Sequence, residues 1–392
     1  MSGPNLDIIE INEINGLVQI CNDWNRLLAV TPGGNFFQSF NWLKVYWQHF
    51  HQKQFLRVFV VREAGEVTGI VPLCVRRIKT KMGTCSILTY PFDDWGSFYG
   101  PVSANPEATL NCVLKYVQQT QRDWDLIDLR CVDTDGFDGG ATERALDAAG
   151  LACAKFEWSQ TYYVDLQQNW DDYLATRSGK ARQTFRRAEK RVAEEGTVEY
   201  LRYRPRGEKC GESDPRWDLY DTCEEIASSS WQGSSTTGTT LSYEDVAQYF
   251  RDTHESAARF GSVDLNLLYL SGQPAAFIYN YVYQGIVYSL RMGFNPDVSN
   301  KGLGRLLMGQ MLRDSMERGD RIYDIGPGSP DAKKYWYTSV ENSYRYVHYS
   351  SESKKAKMLQ ISNRIASWYR RDKQDHQQNS LSSKETQTSV SG

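Results

Sequence analysis

Residues 264–294 constrain the fold more than any other stretch of the chain. "DLNLLYL", "AAFIYNYVY" and "IVYSLRMGF" are apolar-rich runs of strand length, joined by "SGQP" and by "QG". Joins this short make hairpins, so the three runs form an antiparallel meander. Parallel strands would need a crossover of about a dozen residues or more. The meander is followed by "SNKGLGRLL", residues 299–307, then by an amphipathic stretch that stops at Gly319, and then by the strand "RIYDIG". Arg313 and Arg318 before Gly319 suit a helix C-terminus.

The glycine stretch admits two readings. A helix N-terminus leaves backbone N–H groups unpaired and carries partial positive charge. Gly302 and Gly304 remove Cβ atoms, so a pyrophosphate could approach the backbone, and Lys301 and Arg305 add charge at the rim. Leu303, Leu306, Leu307, Met311 and Leu312 then bury the helix against a sheet. The same residues would also serve as a close-packed entry into a helix, and spacing alone does not separate the two. A dinucleotide-binding unit would have a parallel strand where this chain has the end of a meander.

The first half has a similar order. "LDIIEI" is a strand, "GLVQICNDWNRLLAV" and "SFNWLKVYWQHF" are helical, and "FLRVFVVREAGEVTGIVPLCVRR" is a hairpin around Ala64-Gly65-Glu66. "CSILTY", a helix at "NPEATLNCVLKYVQQTQ", the strand "LIDLRCV" and the helix "GATERALDAAG" follow. At 392 residues the chain is too long for one ordinary core. A duplicated α+β unit is therefore expected, with domains at 1–160 and 161–371. The tail 372–392 has only Leu381 and Val390 as sizeable apolar residues and should be disordered.

Composition narrows the function classes. With 24% charged and 40% apolar residues the chain has the balance of a soluble globular protein, and a net charge of -3 argues against a general nucleic-acid binder. No apolar run approaches the ~20 residues of a membrane helix, and the N-terminus lacks a secretory pattern. The 8 cysteines form no C-x-x-C pair, which fits reduced thiols in the cytoplasm. "HFH" at 49–51 has no third ligand near it in sequence, so no metal is expected.

The glycine stretch after an antiparallel meander resembles the GNAT acyltransferase superfamily. "FFQSFNWLKVYWQHF", "PLCVRR", "WDDYLATRSGKARQTFRRAEKRVAEEG", "SSWQGS" and "YDIGPGSPDAKKYW" follow in an order similar to the CelD/BcsL-type group of that superfamily, itself related to FemAB-type transferases that add amino acids to peptidoglycan precursors. The resemblance implies an α+β fold of tandem GNAT-like domains, each a mixed, mostly antiparallel sheet flanked by helices. It implies a cofactor loop in the C-terminal half alone. The co-substrate would be acetyl-coenzyme A or another acyl-coenzyme A, its pyrophosphate on Asn300, Lys301, Gly302, Leu303, Gly304 and Arg305. Backbone groups of Met292, Gly293 and Phe294 would hold the thioester carbonyl, with Gly293 marking a bulge or a plain strand end. Ser299 departs from the pattern, which has Arg or Gln there.

The implied activity is direct attack on the thioester by a polysaccharide, envelope-precursor or amine acceptor. Two alternatives stand beside it: a FemAB-like transferase using aminoacyl-tRNA, and a GNAT-like scaffold that binds a polysaccharide or a partner protein without catalysis.

Individual residues follow from chemistry and from the resemblance. Asp324 sits in "RIYDIGPG" and could accept a proton or orient an amine; it could also be a capping Asp. The resemblance places Lys333, in a Lys-x-x-Trp spacing with Trp336, against an anionic substrate; a solvated Lys is the plain alternative. Tyr335, with Tyr337 beside it, is the implied acid for the leaving thiolate. Tyr288, Arg291, Trp231 and Trp336 are the expected acceptor contacts. Arg291 needs a substrate anion or an internal carboxylate, and Trp231 either stacks on a sugar or anchors its loop. "RSGKARQTFRRAEKR", residues 177–191, places Arg182, Arg186 and Lys190 on one helical stripe. It reads as a solvated face or as a patch for an anionic partner such as a nucleotide-sugar lipid, a tRNA or a membrane surface.

Overall fold

The computed structural model describes residues 6–362 apart from 81–82, 94, 231, 234–239, 242 and 329. The apolar runs resolve into β1 (Leu6–Ile11), β2 (Gln54–Glu63), β3 (Glu66–Thr80), β4 (Gly83–Thr89), β5 (Val102–Ser103), β6 (Leu126–Val132) and β7 (Cys153–Asp165) in the first half. The second half has β8 (Val198–Tyr203), β9 (Val263–Leu270), β10 (Gln273–Tyr283), β11 (Ile286–Phe294), β12 (Ile322–Pro327) and β13 (Ser339–Tyr349). Helices α1 (Cys21–Val30), α2 (Phe40–Phe50), α3 (Pro106–Gln119) and α4 (Ala141–Ala148) belong to the first half. Helices α5 (Trp170–Thr176), α6 (Gly179–Ala193), α7 (Trp217–Ser229), α8 (Glu244–Phe260), α9 (Leu303–Glu317) and α10 (Pro330–Lys333) belong to the second.

The strands form one sheet in the order β1-β2-β3-β4-β6-β13-β7-β12-β11-β10-β9-β8, with β5 paired to β3 beside that path. The fold is the expected α+β class, mostly antiparallel and flanked by helices. In each half a run of antiparallel strands ends in one short parallel contact. Ile87–Thr89 pairs with Leu126–Asp128, and Ile286–Tyr288 pairs with Ile322–Asp324. In both halves the parallel pairing stops after those three residues.

The final strand of each half crosses over. β7 pairs with β12 of the second half, and β13 pairs with β6 of the first, while β7 and β13 pair with each other from Cys153↔His348 to Tyr163↔Ser339. The domain division expected at residue 160 falls inside β7.

A second bond between the halves is aromatic. Phe36 and Phe37 meet the Tyr281 ring at 4.6 and 5.7 Å, and the Trp42 indole N–H donates to the Tyr249 hydroxyl at 3.1 Å. On the other face α9 packs on the meander through Leu303, Leu306, Leu307, Met311 and Leu312, all buried as their spacing predicts. The α6 helix lies close over α9: a Cβ on Gly309 would sit 2.2 Å from the Phe185 ring.

Candidate active site

The divergence of β11 from β12 opens a cleft of about 960 Å³. Its first wall is the edge of β11 from Ser289 to Phe294, which has lost its β12 neighbour. Its floor is the start of α9, with Gly302 as the N-cap at φ 112, a conformation that suits only glycine. Asn300, Gly302, Leu303, Gly304 and Arg305 line this floor. A Cβ on Gly302 would approach Ala188 of α6 at 2.9 Å, so this glycine also serves packing. Gly304 differs. Its Cβ would lie 3.9 Å from Met292 and Phe294, in the cleft itself. Here the two readings of the glycine stretch separate by residue: Gly302 is the helix entry and Gly304 keeps the space open.

Lys301 does not line the cleft. Its ammonium pairs with Glu195 at 2.7 Å. Ser299 is buried, and its hydroxyl accepts from the Lys301 N–H at 3.1 Å. The rim charge facing the cleft is therefore Arg305, whose guanidinium stands 5.7 Å from the Tyr335 ring centre.

The opposite wall carries Lys333, Tyr335 and Trp336. Lys333 is half-buried, donates to the Gly326 carbonyl and lies 5.0 Å from the Tyr162 ring centre. Burial lowers its pKa to about 8, against the opposing pull of Asp324. Trp336 is mostly core: it packs edge-on against Phe185 at 6.1 Å, and its carbonyl accepts from the Tyr173 hydroxyl at 2.6 Å.

Asp324 is the last residue of β12 paired with β11, where those two strands begin to part. It is 2% exposed and does not line the cleft. Its carboxylate accepts from the Thr161 hydroxyl at 2.8 Å, from the Gly326 N–H at 2.7 Å and from Ser97. Burial pushes its pKa up despite these bonds. The corresponding residue of the first half, Asp128, is bound instead by Arg345 at 2.7 and 2.8 Å and by Arg130.

Tyr288 faces away from the cleft. It lines a cavity of about 60 Å³ on the other face with Tyr163 and Asp133. Burial pushes the Asp133 carboxyl up to about 7. Arg291 lines the cleft, and its guanidinium lies 5.3 Å from the Phe250 ring centre. Burial lowers its pKa to about 10. The strand irregularity lies at Leu290, between the pairs Tyr279↔Arg291 and Asn280↔Ser289. Gly293 is in register with Phe277, whose ring would lie 2.8 Å from a Cβ there. The bulge thus sits three residues before Gly293, which is a close-packing position. Trp231 and the tail 372–392 lie outside the described residues.

Three residues at the site carry no local signal in the sequence. Gln232 is 1% exposed; its amide donates to the Met292 carbonyl at 3.0 Å and accepts from the Leu241 N–H at 3.3 Å. It pins the polar loop after α7 to the cleft edge. Ser97 and Thr161, from the first half and from β7, hold Asp324.

The α6 helix begins at Ser178, whose hydroxyl accepts from the Ala181 N–H at 3.2 Å. Two of the basic residues there are structural: Arg177 donates to the Trp336 and Tyr337 carbonyls, and Arg182 to those of Ala175 and Arg177. Arg186, Arg187 and Lys190 stay exposed around a shallow groove.

Residues 179–334 match the family described as an acetyltransferase (GNAT) domain. The whole chain is similar in structure to FemX, with a TM-score of 0.61 at 15% identity over 91% of this chain and 99% of that one. It is also similar to a protein of unknown function from Bacteroides thetaiotaomicron, with a TM-score of 0.53 at 13% identity over 87% of this chain and 100% of the other. The C-terminal domain of a protein described as a lysylphosphatidylglycerol synthetase from Agrobacterium fabrum gives a TM-score of 0.52 at 13% identity over 87% and 95%. At these identities the likeness is one of fold. A comparison with curated proteins finds no match.

Proposed function

We propose that this chain, whose residues 179–334 match the GNAT acetyltransferase domain, transfers an acyl group from acyl-coenzyme A to an amine or hydroxyl acceptor. The carrying observation is the cleft between β11 and β12, floored by the α9 N-terminus and left open at Gly304. Unpaired N–H groups at that helix start suit a pyrophosphate, and Arg305 adds the charge that Lys301 spends on Glu195. The thioester would lie along the free edge of β11, beside Met292 to Phe294. Lys333, as an ammonium, faces the carbonyl oxygen where negative charge develops. The acceptor attacks the carbonyl carbon and the C–S bond breaks. Tyr335 gives its proton to the thiolate, the acceptor's proton passes to solvent, and Asp324, buried outside the cleft, acts only through Lys333, whose pKa it raises. The acceptor itself belongs to glycan, envelope-precursor or amine chemistry on the resemblance described above.

The test is thermal unfolding with acetyl-coenzyme A, for wild type and Gly304→Glu. Ligand at a hundredfold excess over Kd stabilises by about 2.7 kcal/mol, a rise of about 3 °C for a chain of this length. The rise should vanish in Gly304→Glu, whose side chain would fill the cleft. No rise in wild type, with both proteins folded, would remove the acyl-coenzyme A reading.

A second reading draws on the exposed Arg186, Arg187 and Lys190 beside the α9 start and on Ser299 in the usual basic position. It is an aminoacyl-tRNA donor, and it would show as salt-sensitive tRNA binding lost in Arg186→Glu/Arg187→Glu.

A further inference from the structure

After β13 the chain turns into a helical segment, residues 354–362. The Ser353 hydroxyl accepts from the Ala356 N–H at 3.2 Å and starts it. Its inner face is fixed to the sheet: Ala356 is fully buried with Ile87 and Leu126, Leu359 packs against them, and Lys355 donates to the Thr84 carbonyl at 2.9 Å.

The outer face does not look like a solvated helix surface. Met358 is 50% exposed and Ile361 57%, between the exposed Lys354 and Lys357. The sequence prolongs this pattern. Outside the described residues, Ile365 and Trp368 repeat in sequence the spacing of Met358 and Ile361, and Arg364 and Arg371 follow Lys357 at intervals of seven. From 354 to 373 the cations are Lys354, Lys355, Lys357, Arg364, Arg370, Arg371 and Lys373, against the single acid Asp372, in a chain whose net charge is -3.

We propose that the helical segment 354–362 docks the protein on a bilayer surface containing anionic phospholipid. Met358 and Ile361 enter the boundary between headgroups and acyl chains, and the lysines lie on the phosphates. A nucleic acid would account for the cations but not for apolar side chains interleaved with them, and Trp368 and Tyr369 are residue types that favour the membrane interface. A second copy of the chain would bring like charges together over very little apolar area. Residues 374–392 carry only Leu381 and Val390 as sizeable apolar side chains that could cover it. Among the described residues no helix is long and apolar enough to cross a membrane.

The test is co-sedimentation of the full chain with vesicles of phosphatidylcholine alone or with a third of phosphatidylglycerol. Binding should require phosphatidylglycerol and weaken as salt rises. Met358→Ser/Ile361→Ser and Lys354→Glu/Lys357→Glu should each lower the partition coefficient about tenfold or more, each lysine being worth about fivefold. All four side chains are exposed, so the unfolding temperature should not move. The proposal is overturned by wild type showing no preference for anionic vesicles, or by both variants binding as wild type does. It is equally overturned if Arg186→Glu/Arg187→Glu abolishes the binding while the segment variants keep it, or if the segment variants lose tRNA binding or self-association and wild type ignores vesicles.

Discussion

Lys333 is the residue in the cleft whose charge changes nearest neutral pH. With its pKa lowered to about 8, the proposed role as an ammonium holds below that pH and is lost above it. kcat should fall as pH rises through about 8, and Lys333→Met should lower kcat by about 10²–10³ with little change in coenzyme A binding. A rate that instead climbs through pH 8 would make Lys333 a base. Asp324 raises the Lys333 pKa, so in Asp324→Asn any residual activity should lose its alkaline limb at a lower pH. Asp133 offers an independent check on stability. Its carboxyl, raised to about 7, keeps a proton in the folded state that the unfolded chain sheds near pH 4. The stability tied to that proton is complete below about pH 4 and is lost as pH rises through 7. Urea titrations of wild type and Asp133→Asn across that range should therefore converge or diverge by on the order of 1.4 kcal/mol per pH unit. Parallel curves would show that Asp133 is ionised throughout. Gly304 and Arg305 line the cleft because a glycine turn and a helix start, both spelled out by the local sequence, put them there; Lys333 lines it too, but only the resemblance pointed to it. Gln232, Ser97 and Thr161 were not legible, since an uncharged side chain in a polar loop or strand announces nothing until its distant partner is placed.

The elements that build the cleft are set by tight geometry rather than by polar contacts. Gly309 lets α6 and α9 approach, and Gly309→Ala would force a Cβ to 2.2 Å from Phe185. Overpacking of this kind costs about 1–3 kcal/mol, and a drop in the urea midpoint at constant slope would register it. The second-half meander was readable because apolar runs of strand length are joined by very short turns, and α9 because its apolar spacing follows a glycine turn. The bulge at Leu290 was not, because a bulge is a mismatch between two strands and leaves no mark on either one. At the far end of the sheet, Arg202 joins Asp264 at 2.7 and 2.8 Å and Asp314 at 2.7 Å, all three charges shared between β8, β9 and α9. Burial alone would raise the Asp264 pKa; Arg202 and Arg204 outweigh it and hold it below the usual carboxylate range. Asp264→Asn should destabilise by about 3–5 kcal/mol by leaving Arg202 buried and short of charge.

At the scale of the molecule, the expected duplication is present in the strand order, while the exchange of β7 and β13 could not be read ahead. A strand's alternation says which face is buried, never which neighbour it will take. The exchange makes the halves one cooperative unit. Calorimetry should give a single transition with equal calorimetric and van't Hoff enthalpies, and a chain begun at residue 166 should not yield a soluble monomer, since β12 and β13 lose β7 from their edges. Two resolved transitions would mean that the halves unfold apart. The same crossing bears on how the protein is made. When β7 leaves the ribosome neither of its partners exists yet, and β6 must wait for β13, roughly 210 residues after it. At 5–20 residues per second the nascent first half holds open strand edges for roughly ten to forty seconds. That interval is when a growing chain of this design most needs shelter from its neighbours on the same messenger.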